Sequence, residues 1–181
     1  MSPPPKWPRW RAATAVLLFV ACALGANLLT SRYGPIPVGF GLTATAGTWL
    51  AGLVLLARDW VHDTAGRTTV LACIVAGAAL SAATVSPRLA LASGVAFLIS
   101  ELADLAVYTP LRQRSWAGAV AASNTVGAAA DTIVFLLLAG LPLATALPGQ
   151  LALKTVVTVA AIAAVTTVRA FLRHRVRAAR P

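Results

Sequence analysis

ASGVAFLISELADLAVYTPLRQRSWAGAVAASNTVGAAADTIVF, running from Ala92 to Phe135, is two apolar stretches joined by a short basic turn. Three of the five acidic residues of the chain, Glu101, Asp104 and Asp131, lie inside these stretches. A charge at the centre of a membrane-spanning helix costs about 2.5–3.5 kcal/mol on insertion scales, so such residues mark a pathway, a ligand or a partner. Glu101, Asp104 and Tyr108 fall at i, i+3 and i+7, with Phe97 one turn earlier, so they share a helix face. Ser123, Gly127 and Asp131 recur every four residues and share another. The spacing predicts two polar stripes facing each other across the interior of a helical bundle.

Outward from there, composition sets the class. The chain has 181 residues, 59% hydrophobic and 11% charged, with a mean hydropathy of +0.80. Soluble domains carry about 25% charged residues. An all-α, polytopic membrane protein is the reading, with six transmembrane helices in one bundle. The spans run over 12–29, 38–57, 69–85, 89–108, 116–138 and 151–168, each within the range of about 17–25 residues that crosses the hydrocarbon. A basic tail occupies 1–11, the membrane domain 12–168 and an arginine-rich tail 169–181. Trp7, Trp10 and Trp116 suit headgroup level, and the apolar start is read as a retained span rather than a cleaved signal. The loops are read as SRYGPIP, RDWVHDTAGR and the bent or re-entrant connection GLPLATALPGQ.

Charge orients the bundle. With the amino end inside, the inner side collects Lys6, Arg9, Arg11, Arg58, Arg67, Arg112, Arg114 and the C-terminal arginines, twelve in all, against Arg32, Arg88 and Lys154 outside. This satisfies the positive-inside rule with both termini cytoplasmic, in the inner membrane. The net charge of +10 therefore reports topology and lipid contact, not nucleic acid. Cys22 and Cys73 are mid-span without histidine neighbours and read as buried apolar residues.

A rise of about 1.5 Å per residue turns position into depth. Glu101 falls in the inner half, level with Ser123 and Asn124. Asp131 falls in the outer half, where Lys154 and Asn27 reach a similar height. An Asp and a Lys at one depth, each otherwise alone in hydrocarbon, are expected to pair. That pair is equally a lock between two helices. Asp104 lies close enough to the inner end to meet Arg112, whereas no mid-membrane cation is evident for both Glu101 and Asp104. Asp59 and Asp63 sit at a span end, where capping competes with function, and His62 reads as a surface residue.

A chamber lined by carboxylates, amides, hydroxyls and aromatics suits a flat, hydrogen-bond-donating small molecule. One carboxylate accepts two hydrogens of a guanine-type edge in a forked, charge-assisted pair. Glu101 is the expected acceptor. Phe97, Tyr108 or Trp49 would cover the ring, and Ser123 and Asn124 would meet its acceptor side. Composition alone does not choose this ligand over another polar heterocycle or a cation.

At these residues the sequence resembles the queuosine-precursor transporter family, the six-span relatives of vitamin uptake transporters. The resemblance is carried by ANLL at 26–29, ARD at 57–59, SELAD at 100–104 with Tyr108 and LRQ at 111–113, Ser123 with ADT at 130–132 and Phe135, and Lys154. It implies import of a 7-deazaguanine such as 7-cyano-7-deazaguanine, for modified nucleobases. It carries polar site residues over to Asn27, Asp59, Glu101, Asp104, Ser123, Asp131 and Lys154.

No GxxxxGK[ST] phosphate cradle occurs, so gradient-driven or facilitated uptake is the default. An alternative is the substrate-binding subunit of an energy-coupling vitamin importer, with ATPase partners; another is a structural or assembly protein of the membrane. A homo-oligomer fits either. No Ser/His or Cys/His set and no ligand cluster points to an enzyme, a cofactor or a metal.

Overall fold

The computed structural model describes residues 8–111, 114 and 116–178, with the side chains of 105, 116–121, 158, 161, 162, 165, 166 and 168–178 outside that description. The expectations for Trp7, Arg112, Trp116 and the C-terminal arginines therefore fall outside the described residues or side chains.

Six helices and one two-stranded hairpin follow in the order α1 (Arg9–Tyr33), β1 (Pro35–Gly39), β2 (Leu42–Thr45), α2 (Thr48–Ala65), α3 (Arg67–Thr84), α4 (Pro87–Leu111), α5 (Trp116–Ala139) and α6 (Leu143–Ala178). Among the described residues, four stretches are long and apolar enough to cross a membrane: Arg9–Tyr33, Arg67–Thr84, Pro87–Leu111 and Ala122–Ala139. The chain is an all-α membrane bundle. In α2 the apolar run is interrupted by Arg58, Asp59, His62 and Asp63, and in α6 it covers Leu143–Val157.

Three expected boundaries are corrected. The second span does not begin at Val38; residues 35–45 form the antiparallel hairpin instead, paired from Pro35↔Thr45 to Gly39↔Leu42. Pro35 and Pro37 lack the N–H a helix needs, and Gly39, Phe40 and Gly41 all adopt positive φ at its tip. The segment RDWVHDTAGR is not a loop, because α2 continues to Ala65 and turns only at Gly66, φ 81°. Val54, Ala57 and Val61 form one buried face there, and that face carries the helix past Arg58. Finally, GLPLATALPGQ turns only over 140–142, and α6 starts at Leu143 with Pro148 inside it.

α1, α2 and α3 meet in a core of Ala15, Phe19, Cys22, Val54, Ala57, Val61, Val70, Cys73 and Ile74. Phe97 of α4 stacks on Phe19, ring centroids 5.8 Å apart. Both cysteines are buried free thiols.

The hairpin covers one end of the bundle, hereafter the hairpin face; Gly66 and the end of α4 at Leu111 lie at the other, the loop face. Its base is tied to α1 by the Gly47 amide donating to Thr30 Oγ1 at 3.2 Å. Its second strand docks on α6, where the Gln150 amide donates to Thr45 Oγ1 at 3.3 Å. A Cβ on Gly149 would overlap the carbonyl oxygen of Thr43, so the backbones meet directly. Gly149→Ala is expected to lower stability by about 1–3 kcal/mol, the usual cost of overpacking, by prying strand from helix. Thermal unfolding in detergent checks it, and an unchanged midpoint would show that the hairpin gives way freely.

Candidate functional site

Charge pairing organises the space between α2, α4, α5 and α6. Lys154 Nζ of α6 lies 2.5 Å from Asp131 Oδ2 of α5 and donates to Thr132 Oγ1 at 2.8 Å. Lys154 is 4% and Asp131 6% exposed. The two residues expected to pair from their depth do pair. Thr132 in turn donates to the Ala128 carbonyl at 2.8 Å, so each member of the cluster has a partner.

A second pair lies nearer the loop face and was not expected. Arg58, counted above as an inner-loop cation, is buried inside α2 and reaches across to α4, its Nη1 2.9 Å from Glu101 Oε1. Its Nε and Nη2 both donate to Asp59 Oδ1, at 3.0 and 2.7 Å. Glu101 is therefore not the open carboxylate anticipated for a ligand; it anchors Arg58. The sequence held only part of the signal: Val54, Ala57 and Val61 recur at helical spacing through the charged run, which lets α2 continue there but does not fix where Arg58 points.

Two cavities of about 400 Å³ each meet at this arginine. The first lies towards the hairpin face and is bounded by Leu55, Ser100, Gly127, Leu151, Lys154 and Thr155. The second opens towards the loop face between His62, Asp63, Arg67, Glu101, Tyr108 and Ser123. Arg58, Asp59, Asp104 and Asn124 line both, so the two lobes adjoin at these residues. Each lobe is within the range of about 300–1,000 Å³ typical of small-molecule sites.

Towards the hairpin face the space is closed. Thr45, Thr48, Thr132 and Gln150 are fully buried beyond the Lys154–Asp131 pair. Thr45 and Thr48 share a hydrogen bond of 2.9 Å there. On the α4–α5 side the helices touch closely. Ser100 Oγ donates to the Gly127 carbonyl at 2.9 Å. A Cβ on Gly127 would come within 3.3 Å of Ser100 Oγ and 3.6 Å of Asp104 Cβ.

The structure thus brings Asp59, Glu101, Asp104, Tyr108, Ser123, Asn124, Asp131 and Lys154 around one space, and adds Arg58. It does not bring Asn27 there. The Asn27 amide donates to Ser81 Oγ of α3 and Ser93 Oγ of α4, both at 2.8 Å, and joins those helices to α1. Of the three aromatic candidates only Tyr108 lines the space. Phe97 is turned to Phe19, and Trp49 lines neither lobe.

A helical bundle with buried ion pairs and a polar space between its helices has the build of a membrane transporter. Residues 81–168 match the family model described as "Putative vitamin uptake transporter". The match covers α4, α5 and the described apolar part of α6, hence Glu101, Asp104, Ser123, Asp131 and Lys154, while Asn27, Arg58 and Asp59 lie before it. No curated protein and no solved structure matches the chain.

Proposed function

We propose that the chain is an inner-membrane carrier, not an enzyme, that imports a queuosine precursor, a 7-deazaguanine such as 7-cyano-7-deazaguanine, by alternating access. One observation carries the reading: two adjoining cavities between four helices, each with charged and amide side chains in its lining, with the buried Lys154–Asp131 pair on the side of the hairpin face and exposed Asp59, His62 and Asp63 on the side of the loop face. Closure towards one face of the membrane is what an alternating-access carrier presents at rest.

With six spans and both termini cytoplasmic, and the buried Arg58 and Lys154 left out, eleven basic residues inside against Arg32 and Arg88 outside support a hairpin on the outer side. The open lobe then faces the cytoplasm. Asp59, Asp104, Tyr108, Ser123 and Asn124 line the path; Lys154 and Asp131 serve as the outer gate. Breaking the gate pair costs most when the charges separate into hydrocarbon, which favours two discrete states over a half-open one.

Two measurements test this. Cells unable to make 7-deazaguanines and lacking their own importer are expected to regain queuosine in tRNA when given precursor and this gene. Proteoliposomes holding the chain alone are expected to accumulate the precursor. Rescue in cells with no uptake in proteoliposomes would make it the substrate-binding subunit of an ATPase-coupled importer. Loss of both would end the deazaguanine reading.

A further inference from the structure

Asp104 is the carboxylate that the protein leaves open. Its Oδ1 is buried, and among the described residues it has no hydrogen-bond partner. Arg58 lines the same cavities as Asp104, yet its Nε, Nη1 and Nη2 are directed at Asp59 and Glu101. A buried carboxylate oxygen with no donor costs the desolvation of that group. Asparagine at this position would carry a weaker acceptor and no charge to satisfy, and Asp104 sits where both lobes meet.

We infer that Asp104 is the recognition residue of the site, that Glu101 is a positioning residue acting through Arg58, and that the ligand must present two adjacent N–H donors, the edge formed by a ring N–H and an exocyclic amine. This rests on the transport reading and specifies its substrate class.

The chemistry follows from the surroundings. The terminal torsion of aspartate is broad, so a partial turn, short of the half-turn that would only exchange the two oxygens, presents both to the lobe. Both oxygens then accept the paired donors, as in an arginine–carboxylate fork. The Glu101–Arg58 pair keeps the guanidinium from collapsing onto Asp104 and neutralising it. Asn124, on the same lining and one turn from Gly127, supplies an amide with both a donor and an acceptor. Gly127 leaves the room beside Asp104 that a side chain would take.

The test is a ligand-by-variant cycle on the purified full chain in nanodiscs, using 7-cyano-7-deazaguanine and the same compound without its 2-amino group. For the native protein, loss of the amino group is expected to weaken binding about 10- to 100-fold, as for a hydrogen bond to a charged group. In Asp104→Asn the parent compound should weaken by a similar factor and the two compounds should bind alike. Glu101→Gln should weaken both and keep the preference between them.

Dicyclohexylcarbodiimide labelling of the native protein, read by mass spectrometry, gives a measurement that needs no variant. The amino compound should protect Asp104, and the compound lacking it should protect less. A preference that survives in Asp104→Asn, or is lost in Glu101→Gln instead, or labelling of Asp104 indifferent to ligand, overturns the assignment. Failure of the native protein to bind either compound sinks the deazaguanine reading itself, a separate result.

Discussion

Exchanging the charges of the Lys154–Asp131 pair, Asp131→Lys with Lys154→Asp, is expected to leave more folded protein than either reversal alone. Each single reversal places two like charges about where a 2.5 Å ion pair now sits, both almost fully buried. Removing one partner of a buried pair costs about 3–5 kcal/mol, and a reversal adds repulsion to that loss. Whole-domain stabilities are only about 5–15 kcal/mol, so each single reversal should remove most folded material. The exchange restores attraction at the same depth, although Thr132 then faces a carboxylate, towards which its hydroxyl must turn from the Ala128 carbonyl. The monodisperse fraction after detergent extraction measures the effect. Equal loss in all three variants would mean that geometry, rather than charge, holds α5 to α6.

Removing the arginine should be nearly as severe. In Arg58→Met, Glu101 loses its cation while remaining largely buried, with a side-chain exposure of 13%, and a cost of about 3–5 kcal/mol is expected. Asp59 suffers less, because its side chain is 53% exposed and water replaces the guanidinium. Arg58→Lys should recover only part of the loss, since one ammonium cannot fork to both acids. Arg58→Met with Glu101→Gln should recover more, because no charge is left without its partner. Thermal unfolding followed by size exclusion reads these differences. An Arg58→Met protein as stable as the native one would show that the ion pair does not join α2 to α4.

The two pairs differ in how far they were legible beforehand. Asp131 lies well inside an apolar run and Lys154 a few residues into the next, so depth along each helix placed them together without a structure. Arg58 lies at the edge of an apolar run, among Asp59, His62 and Asp63, and local composition there describes a loop as well as a helix end. Only the packing of Val54, Ala57 and Val61 into the α1–α3 core turned Arg58 inward, towards Glu101. Asn27 shows the opposite outcome. Its depth suited the site, but depth does not fix azimuth, and α1 faces Ser81 and Ser93 rather than the cavity.

Hydropathy and charge count alone determined that the chain is a helical membrane protein with carboxylates inside it, because transfer into hydrocarbon is an additive property of each residue and its position. The hairpin at 35–45, the burial of Arg58, the diversion of Glu101 and the open oxygen of Asp104 were decided only by tertiary structure. Which partner a buried charge finds depends on the rotation of each helix about its axis, and that rotation is set by contacts between segments far apart in the chain.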